Sequence, residues 1–275
     1  MKCFFSFLIL AVAFISCDDP SLDSNSGTNQ EVVEPVLDVV GLSDIQIAAT
    51  TPSNVTDNIM ISYDQNKLIT NITFNGNQDL NYSFDYAANN RLETAVKTES
   101  NITTTYNFSY VDDTVIIESI EPSGDLRERQ LYTDTQNRIN RVVTRLTTTT
   151  GATSQVEDLR YQYTANFNVN RINKISENGF TIVGYSEFTY EFNNNPFRDM
   201  NDVLRILIFP DFVPYTRYLP SSRMDYTSDS NGVTLDRTFN YEYTLQEDQF
   251  PSSREITTTT SGASEISFEF FNYIP

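Results

Sequence analysis

Histidine is absent from this 275-residue chain, tryptophan is absent too, and the two cysteines, Cys3 and Cys17, lie at its beginning. The missing histidine removes the commonest general base and the commonest transition-metal ligand. Without it a serine triad has no base. Because residues 18–275 contain no cysteine, they can form no disulfide framework, thiolate metal site or cysteine nucleophile. We therefore expect a protein that is not an enzyme and has no catalytic residues, no cofactor and no metal.

Positive charge is also scarce, because 18 basic residues face 37 acidic ones and the net charge is -19. Nucleic-acid phosphates and anionic membrane surfaces would repel such a chain. We therefore expect no nucleic-acid partner. The hydrophobic fraction of 39% and the charged fraction of 20% still predict a folded domain rather than a disordered one.

The N-terminus has the pattern of a secretory signal over residues 1–16, with Lys2 followed by the apolar stretch Phe4–Ile15. That stretch is shorter than the roughly 20 residues that span a bilayer. Phe14-Ile15-Ser16-Cys17 resembles the lipobox of bacterial lipoproteins, although Phe14 stands where leucine is usual. The resemblance implies lipid attachment at Cys17 and a membrane partner through that anchor. Alternatively, Cys17 is an incidental residue beside an ordinary cleavage site.

Asp18 and Asp19 follow directly and resemble the surface-export signal of Bacteroidetes lipoproteins. The resemblance implies an outer membrane lipoprotein on the cell surface. Alternatively, the two aspartates only begin a solvated linker, and the protein then lies on the periplasmic face of the outer membrane. Residues 17–36 lack apolar periodicity and predict the lipidated cysteine with a flexible acidic linker. Residues 37–275 then form the folded domain.

That domain repeats a short unit in which alternating aromatics, as in Tyr82-Ser83-Phe84-Asp85, precede an Asn-basic-aliphatic turn. The turn asparagines are Asn66, Asn90, Asn137 and Asn170. The first step is 90 − 66 = 24 residues and the second is 137 − 90 = 47, about two such steps, with the missing copy near Asp113. A period near 24 suits a two-stranded hairpin with its turns.

Only 9 Gly and 10 Pro are present, so Asn, Asp and Ser must form most turns. Two threonine runs, within Arg145–Ala152 and Arg254–Ala263, each lead into a glycine turn, and Asn231-Gly232 is a further hairpin signal. We expect about 12 to 16 strands. They predict an all-β antiparallel meander that curls into a barrel or half-barrel, or splits into two packed faces, with tyrosines and phenylalanines inside. Met200–Phe209 lacks alternation and predicts one short irregular or helical excursion that plugs or caps the sheet.

The Tyr-x-Tyr/Phe-Asp strands, the Asn-Arg-Ile turns, the break at Asn194-Asn195-Pro196-Phe197 and the strand Phe239–Tyr243 resemble an uncharacterised family of Bacteroidetes lipoproteins. The resemblance covers about residues 37–275. It implies a porin-like β fold and no particular function.

Three glutamates beside strand aromatics, Glu191, Glu242 and Glu269, are expected to point outward rather than form a catalytic pair. Two Asp- and Asn-rich segments, Asp229–Gly232 and Asp23–Gly27, lack the terminal glutamate of a calcium loop and fit a hairpin turn and a linker better. Asp113-Thr114-Val115 resembles the O-glycosylation motif of Bacteroidetes secreted proteins.

The leading hypothesis is a non-catalytic, lipid-anchored cell-envelope protein, a surface binding or structural module whose partner is a glycan or an envelope protein. One alternative is a polysaccharide hydrolase that uses an acidic pair, and it requires two carboxylates facing a deep cleft. The other is a carrier of apolar ligands, and it requires a hollow apolar interior.

Overall fold

The computed structural model describes residues 41–76, 79–198, 200–209 and 216–274, which all belong to the compact unit Leu37–Pro275. In these residues sixteen strands follow one another, and each pairs antiparallel with its neighbours in the chain. The last strand pairs with the first, for example Phe271 with Ile45, so the sheet closes into a barrel. The predicted all-β meander is therefore confirmed, and of the forms left open it takes the closed barrel.

The strands are β1 Leu42–Ala49, β2 Val55–Tyr63, β3 Ile69–Asn75, β4 Leu80–Tyr86, β5 Leu92–Glu99, β6 Ile102–Val111, β7 Thr114–Ile120, β8 Leu126–Thr133, β9 Ile139–Thr147, β10 Thr153–Tyr163, β11 Val169–Ile175, β12 Ile182–Asn194, β13 Tyr218–Asp229, β14 Gly232–Leu245, β15 Pro251–Thr260 and β16 Ala263–Tyr273. The helix α1, Asp202–Ile208, lies between β12 and β13.

The two faces of the wall follow the period-2 alternation of the strands. In β4, Leu80, Tyr82 and Phe84 are buried in the core, whereas Asn81 and Ser83 alternate with them and face outward. In β4, aromatic and aliphatic side chains therefore face the inside of the barrel, and polar side chains face its outside.

The hairpin turns at one end of the barrel share one hydrogen-bond pattern, in which the Asp64 amide donates to Leu68 O and the Lys67 amide donates to Asp64 O. The residue in the left-handed conformation is Asn90 in the turn after β4 and Asn137 in the turn after β8. In the turns after β2 and β10 it is Lys67 and Phe167, so the expected equivalence of Asn66 and Asn170 with Asn90 and Asn137 is wrong. The physical reason is that the backbone hydrogen bonds of the turn, rather than the residue type, fix which position has the left-handed conformation. Residues other than glycine and asparagine adopt that conformation at a modest cost in free energy.

A belt of seven tyrosines, one near the end of each even-numbered strand except β8, closes this same end of the barrel. Each hydroxyl donates to a backbone carbonyl at or near the start of the preceding odd-numbered strand. The bonds are Tyr63 to Leu42 (2.9 Å), Tyr86 to Ile69 (2.8 Å), Tyr110 to Leu92 (3.0 Å), Tyr163 to Ile139 (2.5 Å), Tyr190 to Val169 (2.5 Å), Tyr243 to Pro220 (2.7 Å) and Tyr273 to Pro251 (2.8 Å). In β8 the Thr133 hydroxyl donates to Asp113 O at 3.0 Å instead.

Helix α1 lies inside the barrel. It begins after Asn201, whose side chain accepts a hydrogen bond from the Val203 amide and so caps the first turn. Its Ile206 carbonyl is 3.5 Å from Arg129 Nη1 on β8, and the ring of Phe209, just after the helix, is 6.1 Å from Phe74 on β3. An element that leaves the wall between β12 and β13 and reaches β3 and β8 must cross the lumen.

This helix confirms the excursion predicted for 200–209. Val203, Leu204, Ile206 and Ile208 all belong to the buried core, so α1 is a plug that packs against the inward side chains of the wall. Within the described residues no helix is long and apolar enough to cross a membrane.

The tyrosine belt predicts that the barrel loses stability in alkali. Burial raises the pKa of Tyr63 to about 12 and also raises the pKa of Tyr86 and Tyr190. An unfolded tyrosine ionises near pH 10, whereas the folded one stays protonated to higher pH, so ionisation favours the unfolded state. The free energy of unfolding should therefore hold below about pH 10 and fall above it.

Urea denaturation followed by circular dichroism between pH 8 and 11.5 measures this effect. Tyr63→Phe should cost about 1 kcal/mol at pH 8, because Leu42 O loses its partner, and should show a smaller alkaline loss than the wild type. Equal alkaline losses in the two proteins would contradict the assignment.

Candidate functional site

A cavity of about 300 Å³, here called the lumen cavity, lies between α1 and the inward faces of the strands from β12 to β16. Four arginines line it: Arg205 on α1, Arg223 on β13, Arg237 on β14 and Arg254 on β15. Among its described lining residues one carboxylate is present, Glu269 on β16. A chain of net charge -19 therefore concentrates positive charge in its own interior.

The four arginines differ in depth. Arg237 is exposed, and the Arg223 side chain is 19% exposed. Arg254 is 5% exposed and Arg205 only 2%. The lumen cavity thus leads from solvent at Arg237 to buried guanidinium groups at Arg254 and Arg205.

Arg205 is the least satisfied of these groups. Its Nη2 forms an ion pair with Asp202 one helical turn earlier. Its Nε and Nη1 are buried and have no hydrogen-bond partner among the described residues. Burying N–H donors of a charged group without acceptors costs free energy, and proteins satisfy nearly all such groups. The unpaired nitrogens therefore mark a place where an acceptor from outside the chain would stabilise the structure.

Arg254, by contrast, has partners inside the barrel. Its Nη2 lies 2.5 Å from Glu269 Oε2, and it also forms a hydrogen bond with the Tyr243 side chain. Burial lowers the pKa of Arg254, but the charges of Glu269, Tyr243 and Tyr241 and the hydrogen bond with Tyr243 together outweigh it and raise the pKa. This arginine stays charged at any pH at which the protein folds.

The inward position of Glu269 corrects the expectation that it points outward. It is opposite Arg254 in the β15–β16 register and shares a face with the buried Phe271. The doublet Phe270-Phe271 makes the inward face of β16 ambiguous in the sequence, because neighbouring side chains of a strand point to opposite faces and only one of the two rings can point inward. Phe271 takes the core position, so Glu269 two residues earlier also points inward.

Aromatic rings support the guanidinium groups. The Arg223 guanidinium lies 5.1 Å from the ring centroid of Phe239 and 6.0 Å from that of Phe188. The corresponding distance from Arg254 to Tyr241 is 5.1 Å, and from Arg237 to Phe239 it is 5.6 Å. Such cation–π contacts hold the arginines against the wall and cover the ring faces.

The charge of the site remains positive after its own ion pairs are counted. Four arginines and Glu269 give 4 − 1 = +3 for the lining. Asp202 pairs with Arg205 and Asp225 lies 2.7 Å from Arg223, which reduces the sum to 3 − 2 = +1. With low-dielectric walls around it, this excess favours an anion.

The other predicted positions lie apart from the cavity. Glu191 and Glu242 are exposed on the outer side. Asp229–Gly232 is a hairpin turn in which the Asn231 amide donates to Asp229 Oδ1 at 2.7 Å. Thr114 of the glycosylation motif begins β7. Cys17, Asp18, Asp19 and Asp23–Gly27 lie outside the described residues, and among the described ones no cluster of three or more acidic side chains could hold a metal.

The sequence reasoning missed the four arginines. A signal was present, since Arg237, Phe239 and Tyr241 alternate on one face of β14. Arg205, Arg223 and Arg254 lie on three different elements and come together only because α1 packs against the inward faces of β13 and β15.

Fold and cavity together define a plugged, sixteen-stranded antiparallel β-barrel with a cationic site in its lumen.

No family model matches the sequence, and no curated protein matches it. Among solved structures the chain is similar to two porin-like proteins. The protein from Bacteroides uniformis ATCC 8492 is 11% identical, with a TM-score of 0.41 over 85% of this chain and 96% of that one. The protein from Bacteroides vulgatus ATCC 8482 is 15% identical, with a TM-score of 0.44 over 85% and 98%.

The N-terminal domain of the effector protein SpvB from Salmonella typhimurium strain LT2 is also similar, at 9% identity and a TM-score of 0.27 over 82% of this chain and 86% of that domain. Scores this low assign neither a function nor a family to the chain.

The buried pair of Arg254 and Glu269 predicts a large effect of Glu269→Gln. Removing one partner of a buried ion pair leaves the other charge uncompensated, so the free energy of unfolding should fall by about 3 kcal/mol or more. Glu242→Gln is the matched control, because Glu242 is an exposed glutamate on the outer face of β14. This substitution should change the free energy of unfolding by less than about 0.5 kcal/mol. Equal urea midpoints for the two variants would show that Glu269 is not paired in the interior.

Proposed function

We propose that the protein is a non-catalytic, lipid-anchored cell-envelope protein whose barrel lumen binds a small anionic ligand. The observation that carries this proposal is Arg205, which is 2% exposed, lines the lumen cavity and keeps two nitrogens without a partner in the described part of the chain.

After a small rotation of the Arg205 side chain, an anion in the lumen cavity would supply the acceptors that its Nε and Nη1 lack. Hydrogen bonds between a guanidinium and a carboxylate or phosphate are among the strongest in proteins, because both partners are charged. The exposed Arg237 would attract the anion first, and the aromatic-supported Arg223 lies between the entrance and the buried groups. A surplus of positive charge along this route supports binding of anions rather than cations.

The membrane attachment in this proposal is the lipid at Cys17 rather than the barrel wall. The outer face of the wall carries ion pairs, such as Arg141 with Asp158 at 2.9 Å and Arg171 with Glu187 at 3.1 Å. Barrels that span a membrane present an apolar band outward. The polar wall therefore supports a domain held beside a membrane by its anchor.

The proposed location is the outer membrane, on the cell surface if Asp18 and Asp19 act as an export signal and on the periplasmic face otherwise. The partner would be a glycan or another envelope component that presents the anion. A nucleic-acid partner is not proposed, because the net charge of -19 opposes it.

The two alternatives each need something that the lumen cavity does not provide. A hydrolase with an acidic pair needs a second carboxylate, and the described lining holds Glu269 alone, already bound to Arg254. A carrier of apolar ligands needs an apolar hollow, whereas the lumen cavity is lined by four arginines and Glu269. Both observations favour the binding proposal.

Anion binding predicts a saturable rise in the melting temperature of the wild type. A ligand that binds only the folded state stabilises it by RT ln(1 + [L]/Kd). Sodium acetate and sodium phosphate should each raise the melting temperature more than sodium chloride does at the same ionic strength, as followed by circular dichroism.

Arg205→Gln should abolish this rise, and Arg237→Gln should reduce it without disturbing the fold, because Arg237 is exposed. Arg171→Gln on the outer wall is the matched control and should behave as the wild type. The proposal fails if neither anion stabilises the wild type beyond chloride, or if all four proteins respond alike.

Lipid anchoring predicts that the full chain fractionates with membranes when it is produced in a bacterium that processes lipoproteins. Cys17→Ala removes the only thiol available for acylation at that position, so the variant should move to the soluble fraction. Immunoblotting of the two fractions measures this. Retention of the variant in the membrane fraction would contradict the anchor.

A further inference from the structure

We infer that the ligand of the lumen cavity is a sugar acid, that is, a hydroxylated ring that carries a carboxylate. This inference rests on the proposed anion-binding function and names the chemical class of its ligand. It follows from the size of the cavity, the covered faces of its aromatic rings and the hydroxyl groups beside its arginines.

The size of the lumen cavity limits the ligand to a small molecule. Its volume of about 300 Å³ lies at the lower end of the range for small-molecule sites. Helix α1 packs in the core beside the cavity, so the cavity is bounded on one side by the plug. One or two sugar rings at the end of a longer chain would fit the same space.

Three of the four aromatic side chains that line the cavity carry guanidinium groups on their rings, and the fourth, Phe197, is 1% exposed. Arg223 lies over both Phe188 and Phe239, Arg237 also lies over Phe239, and Arg254 lies over Tyr241. An aromatic acid would therefore meet guanidinium groups where it needs open ring faces. What the wall offers to a ligand is hydrogen-bond donors.

Neutral hydroxyl groups stand beside these donors. Thr258 and Ser267 line the cavity on the adjacent strands β15 and β16. Thr216 lines it near α1, and its Oγ1 accepts a hydrogen bond from Asn195 Nδ2 at 2.7 Å, so its own hydrogen remains able to donate. Such groups pair with ligand hydroxyls, which both donate and accept.

Arg205 then selects the charged group. Its unpaired Nε and Nη1 are buried just behind the cavity surface, and a small rotation of the side chain would turn them toward a carboxylate, which would gain charged hydrogen bonds in a water-poor setting. A phosphate could use the same donors, but it would leave the hydroxyl groups of Thr258 and Ser267 without ring hydroxyls to pair with. The arrangement thus favours a carboxylate on a hydroxylated ring.

Isothermal titration calorimetry of the folded chain tests the inference with four probes: D-galacturonate, D-galactose, benzoate and inorganic phosphate. Galacturonate should bind at least about tenfold more tightly than galactose, which lacks the carboxylate, and than benzoate, which lacks the hydroxyls, because each probe forfeits charged or neutral hydrogen bonds. It should also bind more tightly than phosphate.

Three variants locate the binding. Arg205→Gln should weaken galacturonate binding by about tenfold or more, Arg237→Gln by about threefold, and the outer-wall control Arg171→Gln should leave it unchanged. Arg237→Gln keeps the test decisive if Arg205→Gln does not fold. Equal affinity of galacturonate for the wild type and Arg237→Gln would place the binding elsewhere and overturn the inference.

The binding results distinguish a failure of the sugar-acid inference from a failure of the proposed anion-binding function. If phosphate or benzoate binds at the arginines as tightly as galacturonate or more so, the sugar-acid inference is wrong and the anion site remains. If none of the three anions binds, both fail. If galactose binds as tightly as galacturonate, the carboxylate is not recognised and the inference is again wrong.

Discussion

A closed ring of sixteen strands encloses a lumen that the side chains of its own wall cannot fill, and the rest of this structure depends on that constraint. Eight strands leave an interior that side chains just fill, whereas barrels of sixteen to eighteen leave an aqueous channel unless something occupies it. Here Phe and Tyr side chains from the wall and the helix α1 occupy much of it, and the core runs continuously from wall to plug. The tyrosine belt then joins adjacent strands at the end where α1 enters.

The filling is incomplete beside β12–β16, and the chemistry of the lumen changes there. Arg205 on the plug faces Arg223 and Arg254 on the wall across a cavity of about 300 Å³. Glu269 compensates Arg254, whereas Arg205 keeps unpaired donors in the described structure. Buried donors that cost free energy because they lack acceptors are best explained by a partner that is bound from outside.

Much of the fold could be predicted because period-2 alternation and the repeat near 24 residues report local structure. The helix was predictable because Met200–Phe209 breaks that alternation. Two errors came from positions where the local pattern is ambiguous: Glu269 beside the doublet Phe270-Phe271, and the turn residues Lys67 and Phe167. The site was not predictable, because Arg205, Arg223 and Arg254 share no local pattern and meet only where α1 folds back against the inward faces of β13 and β15.

If an anion links the plug to the wall through Arg205, local opening of the plug must break that link. Hydrogen–deuterium exchange of the backbone amides of α1, with and without saturating galacturonate, measures this opening. We expect slower exchange at Leu204–Ile208 with the anion present and unchanged exchange in strands far from the cavity, such as β6. Identical exchange of α1 in the two conditions would contradict it.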